Sequence, residues 1–139
     1  MQKKLSCILL IDDDEPTNFI NRMIIEEVGC AGEVKIMQGG REALDYLSHC
    51  GESAGGYPCP DLILLDVNMP AMDGWEFLAQ YKELSNTQKA EIVVVMLTTS
   101  LNPDDQIRAE RIPEISGFRN KPLNADMLRQ IITDFFGVC

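Results

Sequence analysis

The sequence predicts an α/β fold, a three-layer, doubly wound arrangement in which a five-stranded parallel sheet lies between two layers of helices. Two observations lead there. Five short strand-like segments, most of them apolar runs, alternate along the 139 residues with five helical stretches. The most strand-like of them, EIVVVML (Glu91 to Leu97), has β-branched residues on both faces, which suits a central parallel strand. A third observation concerns function: several runs end on polar groups, and open parallel sheets bind ligands beyond the carboxyl ends of their strands.

Leu5 to Ile11 (LSCILLI) is the first strand. In the acidic turn that follows, Asp14 can cap a helix with Pro16 in its first turn. From Thr17 to Val28, Phe19, Ile20, Met23, Ile24 and Val28 recur at helical spacing, and Gly29 marks the stop. Glu33 to Met37 is a short second strand; Gly39-Gly40 turns the chain into a helix carrying Ala43, Leu44 and Leu47 and ending near His49, expected to be solvated. Cys50 to Pro60 (CGESAGGYPCP) is a Gly- and Pro-rich loop, longer than most connections in compact domains. Leu62 to Leu65 is the third strand, and Gly74 opens a helix through Trp75, Phe77, Leu78 and Tyr81. Glu91 to Leu97 is closed by Thr98-Thr99-Ser100, and Asn102-Pro103 caps a short helix to about Arg111. Gly117 to Asn120 is a brief strand, and Lys121-Pro122 leads into the last helix, Ala125 to Phe136.

The length fits a single domain over residues 1–139, able to bury a core without a metal or disulfide staple. A net charge of -10 and a pI near 4.4 argue against nucleic acid and anionic membrane as partners, because both select clustered Lys and Arg. No run reaches the ~20 apolar residues of a membrane span, and acids interrupt the N-terminal apolar run before a signal-peptide core can form, so a cytoplasmic location is expected. Cys7, Cys30, Cys50, Cys59 and Cys139 show no C-x-x-C spacing; their odd number and the missing secretory signal point to reduced thiols.

The functional signal lies in PDLILLDVNMPAMDGWEFL, where a buried run ends on Asp66. If the first and third strands are neighbours, Asp12, Asp13 and Asp66 converge, and their mutual repulsion calls for a cation. A hard divalent ion such as Mg2+ accepts oxygen ligands and keeps waters that a phosphate can replace. Thr98 adds a hydroxyl after the fourth strand and Lys121 an ammonium after the fifth, groups that neutralise and orient phosphoryl oxygens. No P-loop, G-x-G-x-x-G or zinc spacing is present.

Asp12-Asp13, Asp66 with its MPxMDG continuation, Thr98 and Lys121-Pro122 together resemble the response-regulator receiver family, the CheY-like domains of two-component signalling. The long loop and the LTTS stretch resemble the stand-alone receivers that partner phytochrome-type histidine kinases. The resemblance implies a flavodoxin-like strand order 2-1-3-4-5, CheY being a standard example of it. It also implies that Asp66 accepts a phosphoryl group from a sensor histidine kinase. Mg2+ (or Mn2+) would be held by Asp13, Asp66 and the backbone carbonyl of Asn68, with Asp12 acting through water. Lys121 would pair with Asp66 at rest. Thr98 and Phe118 would form the switch, Phe118 standing where many receivers have tyrosine, and Asn68 and Ser100 would tune dephosphorylation. Partners would be the kinase and either a downstream protein target or a histidine phosphotransfer protein, with the chain monomeric or a phosphorylation-dependent homodimer.

Rival readings are a phosphoryl shuttle, which would use the same site, and an aspartyl-nucleophile phosphatase. The latter needs an acid two residues after the nucleophile, where this chain has Asn68. Flavin binding on the same fold lacks its Ser/Thr-rich phosphate loop.

Overall fold

The computed structural model describes residues 5–50, 58–84, 92–99 and 102–137. Strands β1 (Leu5–Ile11), β2 (Ala31–Met37), β3 (Leu62–Asp66), β4 (Val93–Thr98) and β5 (Gly117–Asn120) alternate with helices α1 (Glu15–Val28), α2 (Gly40–His49), α3 (Gly74–Lys82), α4 (Pro103–Glu110) and α5 (Ala125–Phe136). All four strand pairings are parallel and the order is β2-β1-β3-β4-β5, as the resemblance implied.

Alternation along the strands divides the interior into two cores, one on each face of the sheet. Leu9, Ile11, Ile63, Leu65, Val94 and Met96 face α2 and α3, where they meet Leu44, Leu47, Phe77, Leu78 and Tyr81. Ile8, Leu10, Leu62, Leu64, Val95 and Leu97 face α1 and α5, where they meet Ile25, Leu128, Ile131 and Ile132. Each such side chain stabilises the fold by about 1.5–3 kcal/mol on burial.

All the helices but α2 start where a short polar side chain accepts the first free N–H groups. Asp14 accepts from Thr17 N–H, Asn102 from Asp104 N–H and Asn124 from Met127 N–H. Asp73 and Glu76 form a reciprocal capping box at α3. Gly29, with φ 72°, ends α1 in the left-handed region.

Element boundaries differ from the sequence reading where pairing outweighs propensity. Strand β2 starts at Ala31 because Leu5 pairs with it and Leu5 N–H donates to the Cys30 carbonyl at 2.8 Å. Strand β3 includes Asp66, and β4 includes Thr98, because these residues pair with Leu97 and Asn120. Among the described residues β4 begins at Val93, after Ile92.

The expectation of reduced thiols is corrected. Cys50, which follows the last turn of α2, is bonded to Cys59, three residues before β3, with Cα atoms 4.8 Å apart. Cys30 is disulfide-bonded as well. Sequence spacing could not show that the end of α2 and the entry to β3 approach each other, since only sheet formation brings them together. Cys7 is free and buried, and desolvation, followed by the Glu33 charge, pushes its thiol up to about 11. The Tyr46 hydroxyl donates to the Pro58 carbonyl at 2.6 Å, a second tie across the long loop, most of which lies outside the described residues. His49 is exposed as expected, its Nδ1 2.9 Å from the Asp45 carbonyl.

Candidate functional site

Four strand ends supply the site. The carboxyl end of β1 delivers Asp12, that of β3 delivers Asp66, that of β4 delivers Thr98, and the turn after β5 delivers Lys121. Asp12 and Asp66 retain only 5% and 6% of their surface, and Thr98 none. Pairing of Leu10 with Leu64 and Ile11 with Leu65 puts the ends of β1 and β3 side by side.

The Lys121 Nζ donates to Asp12 Oδ2 at 2.8 Å and lies 3.0 Å from Asp66 Oδ1, so one ammonium bridges both buried acids. The pairing expected for Asp66 is present, and Asp12 joins it. The Lys121 N–H donates to the Thr98 carbonyl at 2.7 Å, which ties the residue to the end of β4; its peptide bond to Pro122 is cis. Asp12 is fixed by the Asp14 N–H, which donates to its Oδ1 at 2.9 Å, and its carbonyl accepts from the buried Asn18 amide at 2.8 Å.

Burial pushes the Asp66 carboxyl up; the Lys121 hydrogen bond pulls it back and the neighbouring Asp12 charge pushes it further, with a net rise. Burial alone would lower Lys121, but hydrogen bonds to Asp12 and Asp66, and the charges of both, hold its ammonium above the ordinary range. The exposed Asp14 carboxyl is kept below its usual value by the Thr17 hydroxyl and N–H.

Exposed Asp13 completes the acidic group: carboxylate oxygens of Asp12, Asp13 and Asp66 lie within 4.8 Å of one another. An all-oxygen donor set with one solvent-facing member fits a hard divalent cation, and not the softer ions that select thiolate or imidazole. Asn68 is exposed and its N–H reaches Asp66 Oδ1 at a long 3.4 Å. Phe118 is half-buried, pairs in register with Met96 and lines a groove of about 220 Å3 against α4. Ser100 lies outside the described residues.

Gly74, the last residue of the MPxMDG stretch and a helix start in the sequence, also sets how closely α3 packs on the site. A Cβ there would meet the Asp66 carbonyl at 2.8 Å and Val67 Cα at 3.0 Å, so α3 can close onto the site only without a side chain at this point. The Asp73-Gly74 pair was the available signal, but it reads equally as an ordinary turn. Asn18 was hidden in the same way, as one polar residue within an amphipathic helix.

The model of the family described as the response regulator receiver domain matches residues 8–133. The chain belongs to that family. It is 38% identical over 100 residues to the response regulator Rcp1 of Synechocystis, covering 72% of this chain and 66% of the relative. A two-component response regulator from Cytophaga hutchinsonii superposes with a TM-score of 0.85 at 32% identity, covering 96% of this chain and 98% of the other. The phosphorylated cyanobacterial phytochrome response regulator RcpA superposes with a TM-score of 0.66 at 34% identity, covering 93% and 89%. This receiver therefore has its likenesses among two-component regulators, including phytochrome response regulators. Receivers in general hold Mg2+ at an acidic pocket, and the receiver here has an Asp cluster of that composition. Among the described residues no helix is long and apolar enough to cross a membrane.

Proposed function

We propose that this receiver accepts a phosphoryl group on Asp66 from a phosphohistidine of a partner sensor kinase and passes the signal on through a changed protein-binding surface. The observation that carries the reading is the Lys121 ammonium bridging Asp66 and Asp12 at the end of a buried strand. A carboxylate so placed has an exit only toward the strand ends, where a phosphorus atom can approach.

An Asp66 oxygen attacks phosphorus, the P–N bond breaks, and its electron pair stays on the departing imidazole nitrogen, which is then free to take a proton. Lys121 neutralises the oxygens of the transferred group, keeping its link to Asp66. Asp13, Asp66 and the Asn68 carbonyl would hold Mg2+ or Mn2+, with Asp12 acting through water, and the ion would supply further charge neutralisation. Thr98 turns its hydroxyl to the new phosphoryl group, and Phe118 moves into the space this leaves. Coupling of this kind is typically ~1–3 kcal/mol, enough to shift a population. Asn68 and Ser100 flank the path of the water that later removes the phosphoryl group. The exposed apolar side chains Phe19, Ile20 and Met23 on α1, with Ile20 and Lys121 lining one cavity, give the kinase a surface beside the site. The reading places the chain in the cytoplasm with that kinase.

Incubation with acetyl phosphate and Mg2+, followed by intact-mass measurement, tests it. The wild type is expected to gain one phosphoryl group and Asp66→Asn none; an unmodified wild type, or an adduct on both, sinks the assignment.

A further inference from the structure

On a chain of net charge -10, one cavity carries the opposite sign. It lies between α3 and the end of α4, has a volume of about 290 Å3, and is lined by Trp75, Leu78 and Lys82 on one side and Arg108, Arg111 and Glu114 on the other. Leu78 is buried and Trp75 half-buried, which makes the floor apolar, while Lys82, Arg108 and Arg111 are exposed at its rim.

Arg108 is stacked over Trp75, its guanidinium carbon 4.4 Å from the ring centre. Stacking uses the flat face of a guanidinium and leaves its edge N–H groups available to a carboxylate. Among the described residues neither Arg108 nor Arg111 has an ion-pair partner, in a chain with 22 acids. Glu114 Oε1 is buried in the same cavity and accepts no hydrogen bond. Its charge reaches Tyr81, whose phenol is pushed up to about 12 by burial first and by Glu114 second.

We propose that this groove binds an acidic peptide segment of a partner protein. Side-chain carboxylates of the segment take the edge donors of Arg108 and Arg111 and the ammonium of Lys82. The aliphatic stems of the same segment lie on Trp75 and Leu78. An inorganic anion satisfies the cations alone and leaves Trp75 and Leu78 uncovered, so the apolar floor beneath a cationic rim favours a peptide. Binding does not depend on phosphorylation of Asp66, and the two readings stand or fall separately.

Trp75 is the only tryptophan of the chain, so its fluorescence reports on the groove directly. The full, unphosphorylated chain is titrated with an end-blocked peptide of alternating Glu and Ala, with the same peptide carrying Gln for Glu, and with inorganic phosphate. A saturable change is expected with the Glu peptide only. It should weaken about tenfold in Arg111→Gln and about tenfold in Lys82→Gln, each losing one charge-assisted contact, and weaken again as salt rises. Thermal unfolding shows that each variant is folded, and either one alone suffices if the other is not. A flat titration, an equal response to the Gln peptide, saturation by phosphate as tight as by the Glu peptide, or undiminished binding by the folded variants overturns the proposal.

Discussion

At the residue scale, the bridge from Lys121 to Asp12 and Asp66 makes stability and function pull in opposite directions. The folded Asp66 carboxyl titrates above its ordinary value of 3.8, so ionising it opposes folding. That cost is absent below 3.8, grows as pH rises from there through the folded value, and is fully present above it. Lys121 has the reverse sign: with a folded value above 10.5, its stabilisation is complete below 10.5 and is lost as pH rises through the folded value. Asp66→Asn keeps the shape, removes one buried charge and leaves Lys121 paired with Asp12. It should therefore unfold at higher denaturant than the wild type at pH 7 without metal, by on the order of 1 kcal/mol. Added Mg2+ should stabilise the wild type, by about 2.7 kcal/mol at a hundred times its dissociation constant, and the variant less. Denaturant curves with and without Mg2+ check both signs; a variant less stable than the wild type in metal-free buffer contradicts the account of Asp66.

At the element scale, Gly74 decides how closely α3 approaches the end of β3. Gly74→Ala introduces a methyl into backbone atoms of Asp66 and Val67, which cannot swing aside as a side chain would. We expect a loss of about 1–3 kcal/mol in denaturant unfolding, together with slower phosphorylation by acetyl phosphate as Asp66 is displaced. Unchanged phosphorylation would show that α3 does not position the carboxylate. Most elements were legible in the sequence because the central apolar runs match the buried strands β1, β3 and β4, and four of the five helices have a polar cap, as Asp14 does for α1, where Gly29 adds the stop. The site was legible for a related reason: polar residues at the ends of apolar strands have no structural purpose that the pattern demands. Contacts between distant backbones were not legible. The approach of Gly74 to Asp66, the Asn18 bond to the Asp12 carbonyl and the Cys50–Cys59 pair all arise from how closely elements pack, and no periodicity records that distance.

At the scale of the whole molecule, Thr98 and Phe118 would, in the proposed switch, link the site to the face formed by α4 and β5. Thr98 is fully buried on β4, and Phe118 is half-buried on β5 beside a groove of about 220 Å3. A side chain with room on one side and a packed core on the other can occupy two positions without rebuilding the sheet. Beryllofluoride with Mg2+ is expected to move the amide NMR signals of Thr98 and Phe118, and with them those of α4, while α2 stays close to its starting shifts. Signals that move only around Asp66 would confine the response to the site.

The bond between Cys50 and Cys59 has a topological consequence for this molecule. Because it spans the connection between α2 and β3, a protease that severs the backbone anywhere between the two cysteines leaves the N- and C-terminal pieces joined. Such a clipped chain should run as one band on a denaturing gel without thiols and as two once mercaptoethanol is added.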